Sequence, residues 1–583
     1  MIALTDGQWS KVLTGDVIAK LCILDSIYDW TFDGHNFKFD WLHLAVHGFT
    51  IPLDRWIGDS SIAAYVLTEK IPNDWLDRYE IQRKKKGSHH RKAGKHSLKT
   101  LAPYFLGVEP FWEVEDHSDQ DYALKDTLYT RQLNDLLEEK LKNAGQFEFY
   151  QRLLEWTKLL VQAELRGLTY DPIQALIMKS ELLDESLDLY AKMKENWKEA
   201  EQAKLDLDFK KIQEKYKTKN WSEEKTTKAI DKASAKLKPF NYSSPSQVIW
   251  LLRDYLKYDV TREDGKDSTG SAVLRRLSED HEDVKIFQQW RKANKLLTSF
   301  FPAYEGFVVD GAIHPIYNVD VTRTGRTSSQ RPNAQQVTSK LKKLFPARPG
   351  YKIVGFDAAA IEAKLIAYVT EDPTLYKIIQ DGTSIHDFNC KQWFKLDCDY
   401  KDIKTLYSKE RKATKNVGFA LFYNAGFNRI RIALAQAGFL ISNEEAKEIH
   451  KKFKTDFRIA YQKAQQVVYE FQQGRVLKNL FGRPLSIEVP QDAYMKGFNK
   501  LIQSSASDYL LYSANKAALH LLEAGIEAHP ILFVHDYVGF EVLEKQAAHA
   551  AGIIVDAMTD YNLMTRHGPI KLEVDGGISS HWE

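Results

Sequence analysis

Apolar and polar positions alternate along the chain with a period that changes several times. The first 140 or so residues mix short apolar runs with helical spacing, are rich in aromatic residues, and close on an amphipathic helical stretch from Tyr122 to Leu141. From Gln151 to about Lys238 the spacing is helical. Lysines and glutamates interleave from Lys192 onward with few Gly or Pro, which predicts long exposed helices projecting from the body. Tyr242 to Pro245 reads as a polar break, and a second helical run that includes Ile286 to Phe301 leads back. At Lys352 to Phe356 a short apolar strand signal ends on Asp357 and a helical run follows. A second strand signal runs from Ile531 to Val534. His535 and Asp536 come next, and Val538, Phe540 and Val542 then alternate, predicting a hairpin with Asp536 at its tip. No repeat period is present.

A chain of 583 residues exceeds one hydrophobic core, so two to four domains are expected. Its 44% hydrophobic and 27% charged residues exclude a disordered or collagen-like protein. No run of about 18 apolar residues and no signal-peptide pattern occurs, so neither membrane insertion nor secretion is expected. Cys22, Cys390 and Cys398 have no CxxC spacing, which fits a reducing cytoplasm and excludes a cysteine zinc site. The formal charge of +2 does not by itself announce a nucleic-acid partner. The run Arg83, Lys84, Lys85, Lys86, His89, His90, Arg91 and Lys92 could neutralise phosphates, although a solvated loop is the plainer reading.

Two aspartates at strand ends suit phosphoryl transfer, which needs little covalent help from protein but much charge neutralisation by carboxylate-held metals. Asp357 and Asp536 are 179 positions apart (536 − 357), so they can meet only if their strands share a sheet. Between them, Arg411, Lys415, Phe419 and Tyr423 recur every four residues. Each step advances about 40° around a helix, so the four share one face. Taken alone this is a solvated amphipathic helix with its rings in the core. Set between the two aspartates, it reads as a grip for a nucleotide, with cations for the triphosphate and rings for sugar and base.

The same residues resemble a known family. Asp357-Ala-Ala-Ala-Ile-Glu362, Arg411 to Tyr423 and Val534-His535-Asp536 are similar to the first palm motif, fingers helix and second palm motif of family A DNA polymerases. This is the bacterial DNA polymerase I family, which also includes phage replicative enzymes. Thr324 to Ser329 with Pro332-Asn333-Ala334-Gln335, and Asn499 and Gln503 leading into Ser504 to Asp508, resemble two further segments of that family. Five motifs in order are far more specific than one.

The resemblance implies that Asp357, Asp536 and the Ala358 carbonyl bind two magnesium ions, with manganese able to substitute. Lys415, Arg411 and His386 would clamp the incoming dNTP, with Lys415 also acting in catalysis. Glu362 would crowd a ribose 2′-hydroxyl, Phe419 would stack near the sugar and Tyr423 near the templating base. Arg326, Asn333, Asn499, Gln503 and His535 would contact the primer-template DNA. Such minor-groove contacts test shape without reading sequence. Phe at 419, where some phage members have Tyr, implies discrimination against dideoxynucleotides.

Three positions depart from the pattern: Tyr537 stands for the usual Glu, Asn424 for a helix-ending Gly, and Met495 for a DNA-contacting Arg. His35 to Asp40 and Tyr122 to Asp126 resemble the second and third motifs of the family's two-metal 3′–5′ exonuclease, 86 residues apart (126 − 40). The first motif, Asp-x-Glu, is missing. The expectation is therefore an exonuclease remnant of Asp40, Tyr122 and Asp126, with proofreading absent or impaired.

The architecture expected is α/β in content: a right hand with an antiparallel palm sheet and helical fingers and thumb, joined to a truncated ribonuclease H-like exonuclease domain. Boundaries are placed at 1–145 for the exonuclease-like domain, 146–310 for the thumb with a charged helical insertion at about 194–238, 311–375 and 485–583 for the palm, and 376–484 for the fingers. A monomer is expected, acting in the cytoplasm of a host cell if phage-encoded, with the insertion a docking site for a processivity factor or a solvated arm. Two alternatives stand beside this reading. Glu362 and the exonuclease-like start argue against a phage-type single-subunit RNA polymerase, and retention of both aspartates argues against a non-catalytic DNA-binding derivative.

Overall fold

The computed structural model describes residues 2–583 apart from 7–9, 15, 28–29, 86–93, 110–117, 220, 263–264 and 323. The side chains of the basic run at 83–92 lie outside the described residues.

The N-terminal region opens with an antiparallel hairpin, β1 (Ile2–Thr5) and β2 (Ser10–Leu13). A short parallel pair follows, β3 (Phe32–Gly34) with β4 (Trp56–Asp59), joined through α1 (Phe37–Val46). The buried carboxylate of Asp59 ties this unit together. It accepts from the backbone N–H groups of Asn36 and Phe37, which open α1, and of Ser61, which opens the next helix. Helix α2 (Asp119–Asn143) buries Leu133, Leu137 and Leu141 on one face, as the amphipathic stretch from Tyr122 to Leu141 predicts.

Helix α3 (Phe147–Arg166) corrects the expectation of exposed helices from residue 151. Leu153, Leu160, Val161 and Ala163 have no exposed surface, because α3 lies between the N-terminal helices and the central sheet. Exposure begins later, with α4 (Pro172–Asn196), α5 (Lys198–Lys217) and α6 (Glu223–Ser234): α5 buries only Ala200 and α6 nothing. Tyr242 is not part of a polar break. It is 3% exposed and packs with Trp197, Phe240 and Trp290 against α7 (Glu282–Lys295), forming the aromatic core at the base of the projection.

The central sheet has four antiparallel strands in the order β6-β7-β5-β8: β5 (Tyr351–Ala358), β6 (Ala528–Val534), β7 (Tyr537–Leu543) and β8 (Val574–Ser579). Val354, Phe356, Val538 and Phe540 face the large core, where α11 (Ala493–Glu523) and α12 (Ala547–Thr559) pack. Ile353 and Leu532 face the opposite way, toward Phe345 and Trp582. Strand β8 was not anticipated, since Val574-Asp-Gly-Gly-Ile-Ser shows no apolar alternation. Its Gly576, at φ 149, lies so close to β5 that a Cβ would collide with the Gly355 carbonyl.

Candidate active site

The condition on the two aspartates is met. β5 pairs with β7 so that Asp357 is directly across from Tyr537, the residue after Asp536. The N–H of Ala358 donates to the Asp536 carbonyl at 3.0 Å, locking the strand end to the hairpin tip. Val534 faces Tyr537 across a two-residue turn whose first residue, His535, takes φ 56. Burial, with Asp357 and Glu362 adding like charge, pushes the Asp536 carboxyl up to about 6 despite Arg326 beside it. Asp357 is also raised, first by burial and then by Asp575, its register partner on β8.

Two helices of the intervening segment, α9 (Ile385–Phe394) and α10 (Ser408–Phe422), pack together. The His386 and Phe419 rings meet edge to face at 5.1 Å. Burial, then Lys415 and Arg411, lowers the His386 imidazole to about 4, so it is neutral, and its Nδ1 is buried without a protein partner. Arg411 donates its Nε–H to Asp387, a partner that spacing alone did not reveal. Lys415 is exposed. The predicted face is real, but its 40° drift per step sends its two ends to different neighbours. Arg411 and Phe419 turn to α9, whereas the Tyr423 ring meets Phe498 of α11 at 6.2 Å and its hydroxyl donates to Glu362 Oε2 at 3.3 Å.

Glu362 lies in the first turn of α8 (Ile361–Thr370) and also binds Arg326 Nη2 at 2.7 Å. The fold thus joins three residues from separate motifs, Arg326, Glu362 and Tyr423. Asn424 does the work of the glycine it replaces. At φ 65 it lets the Ala425 N–H reach the Ala420 carbonyl at 2.9 Å, closing α10 with a left-handed residue. Its amide adds bonds to the Tyr494 carbonyl and to Gln465.

Asn499 and Gln503 sit one turn apart on α11, both half-buried, and Asn499 Oδ1 is buried with no hydrogen-bond partner. Asn333 caps a short helical turn, its Oδ1 accepting from the Gln335 N–H. Behind the Arg326 segment lies a buried ion pair that the sequence did not show. Arg483 grips Asp508 through Nη2 at 2.7 Å and Nε at 2.9 Å, Asn479 donates to the same carboxylate, and Ser507 Oγ holds the Gly325 carbonyl at 3.0 Å.

Tyr537 does not occupy the edge as a second acid would. Its half-buried phenol lies across Gly355 and Gly539, where a Cβ on Gly355 would collide with the hydroxyl. On the other neighbouring strand Asp575 stands in register with Asp357. In the N-terminal region Asp40 lies exposed on α1, and Tyr122 and Asp126 lie half-buried on α2. Among the described residues no group of three or more His, Cys, Asp or Glu side chains could hold a metal ion, and no helix is long and apolar enough to cross a membrane.

An antiparallel sheet with two aspartates at neighbouring strand ends, joined through Glu362 and Tyr423 to a cationic helix, is the arrangement of the polymerase class of fold. The family model for DNA polymerase family A matches residues 209–583, more than half of the sequence, and the chain belongs to that family. The thermostable DNA polymerase I of Thermus thermophilus is 27% identical over 363 residues, covering 59% of this chain and 42% of that protein. The DNA polymerase I of Geobacillus stearothermophilus is 25% identical over 356 residues, covering 58% and 39%. The chain therefore spans less than half the length of these curated relatives. Among solved structures, the POL domain of Pol1 from M. smegmatis, in complex with DNA primer-template and dNTP, superposes with a TM-score of 0.75. It is 20% identical and covers 98% of this chain and 89% of that one, a likeness of fold.

Proposed function

We propose that this chain is a template-directed DNA polymerase that adds deoxynucleotides to a primer 3′ end by phosphoryl transfer. The observation that carries the reading is the meeting of Asp357 and Asp536 at one sheet edge, with Arg411, Lys415 and His386 clustered on α9 and α10, the latter joined to that edge through Tyr423 and Glu362. Like charges across neighbouring strands are unfavourable unless something positive relieves them. Asp357 and Asp536, with the Ala358 carbonyl, offer hard oxygen donors that fit magnesium. Two such ions, when bound, supply an acidified primer 3′-hydroxyl and neutralise charge on the triphosphate.

In the reaction the primer hydroxyl gives up its proton to water and its oxygen bonds to the α-phosphorus, while the bond to the bridging oxygen breaks and pyrophosphate leaves. Lys415 and Arg411 hold the negative oxygens of the triphosphate, and neutral His386 donates from one ring nitrogen. Glu362, pinned by Arg326 and Tyr423, forms a fixed floor under the sugar that excludes a 2′-hydroxyl, supporting DNA over RNA synthesis. Phe419 favours deoxy over dideoxy substrates, and Arg326, Asn333, Asn499, Gln503 and His535 line the path of the primer-template. The exposed α5 and α6 serve as an arm of the thumb, over DNA or a processivity factor.

The N-terminal region, whose Asp40 and Asp126 lie on separate helices, is an exonuclease-like unit without proofreading. Primer extension with magnesium by wild type and Asp536→Ala tests the central reading, with a 3′-mismatched primer testing the second. The wild type extends, the variant does not, and neither excises the mismatch. Full extension by Asp536→Ala overturns the proposal.

A further inference from the structure

Two buried polar atoms where α9 meets α10 lack partners, and both lie against one point of α10. His386 and Asn389 are three residues apart on α9, hence neighbours on the surface of that helix. His386 Nδ1 and Asn389 Nδ2 are each buried without a hydrogen bond, and Asn389 as a whole is only 2% exposed. A Cβ on Gly418 would stand 3.4 Å from Asn389 Nδ2 and 3.7 Å from His386 Nδ1, so glycine leaves the space that both atoms border.

Neighbouring polar groups are already engaged. Asp387 accepts from Arg411, and Thr414 donates to the Glu410 carbonyl. Burying a donor and an acceptor unmet is unfavourable, and these two are complementary. An amide N–H only donates, whereas Nδ1 of a neutral imidazole accepts when the ring proton sits on Nε2. The ring is neutral because burial, then Lys415 and Arg411, oppose a charge on it. The asparagine amide turns on a soft terminal torsion, which lets it swing onto Nδ1. With Nδ1 buried, Nε2 is the ring nitrogen left to meet a ligand.

We propose that Asn389 is the positioning residue of His386: it donates through Nδ2 to Nδ1 and so holds the ring proton on Nε2, from where it is offered to a triphosphate oxygen. The inference rests on the polymerase reading above for the triphosphate, while the tautomer is a property of the free chain. Without Asn389 the proton distributes over both nitrogens. Rings with a bare Nε2 then set a lone pair against a negative oxygen, which weakens nucleotide binding and leaves the chemical step unchanged.

Nitrogen NMR of the full chain, isotope-labelled at its histidines, reads the tautomer directly, with the His386 signals assigned by their absence from His386→Ala. In the free wild type Nδ1 resonates as the bare nitrogen and Nε2 as the protonated one. Asn389→Ala and Asn389→Leu, the second close to asparagine in size, move both signals toward the average of exchanging tautomers. In single-turnover incorporation with magnesium, each substitution raises the dNTP concentration for half-maximal rate about fivefold and leaves the maximal rate within about twofold. In the His386→Ala background neither substitution has a further effect. A protonated Nδ1 in the wild type, a tautomer unchanged by both substitutions, or effects that add in the double variants overturns the proposal. If the tautomer responds as expected yet no nucleotide is incorporated by the wild type, it is the polymerase reading that fails.

Discussion

Asp357 and Asp536 lie at the ends of neighbouring antiparallel strands, whereas Asp40 and Asp126 lie on two separate helices of the N-terminal region. Both pairs were singled out for the same two-metal chemistry. In a sheet, residues across from one another stand about 5 Å apart, so register alone brings distant carboxylates together. A helix specifies only which face a residue occupies, and its neighbours are set by whatever packs there. In this chain the strand-borne pair also shows the electrostatic mark of a shared site, since Asp357 helps raise Asp536.

The comparison breaks most sharply under alanine substitution. Asp357→Ala or Asp536→Ala is expected to lower single-nucleotide incorporation by at least about 10³-fold. Asp126→Ala is expected to leave it unchanged, and a comparable loss there would show the two regions to be one site. Lys415→Ala is expected to cost about 10²-fold in kcat/KM for a dNTP, measured by single-turnover kinetics, with DNA affinity retained.

Smaller effects sharpen the picture. Asn424→Ala places a Cβ-bearing residue without side-chain bonds at φ 65, and should cost about 2 kcal/mol in chemical denaturation; Asn424→Gly should cost about half as much. Asp536→Asn is expected to stabilise the folded chain by about 1–2 kcal/mol while abolishing synthesis. A carboxyl at about 6 in the fold and 3.8 unfolded is penalised once ionised. The gain should be full above about pH 6 and vanish below about pH 4, as thermal melts across pH would report. By the same titration, wild-type metal affinity should fall as pH drops through 6.

The aspartates, the four-residue rhythm from Arg411 to Tyr423 and the hairpin at His535-Asp536 were legible because each is local, a period or a turn written in adjacent residues. Reading α3 as exposed failed because its polar positions are buried with partners: Thr157 bonds the Leu153 carbonyl and Lys158 pairs with Glu155 within the helix, and Glu164 pairs with Lys38 of α1. The roles of Asp387, Arg483 and Asp508 were hidden for the same reason: an ion pair across 24 or 25 positions has no sequence period.

The sequence by itself determined which side chains could do the chemistry, and which helix faces and strand ends would present them. Only the tertiary structure decided that β5 sits between β7 and β8. That position sets Asp575 against Asp357, lays the Tyr537 phenol over Gly355, and ties Glu362 to Arg326 and Tyr423. The reason is that periodicity encodes orientation about one element's axis, while pairing between elements far apart in the chain is settled by burial and register, where glycines such as Gly355 and Gly576 make the room.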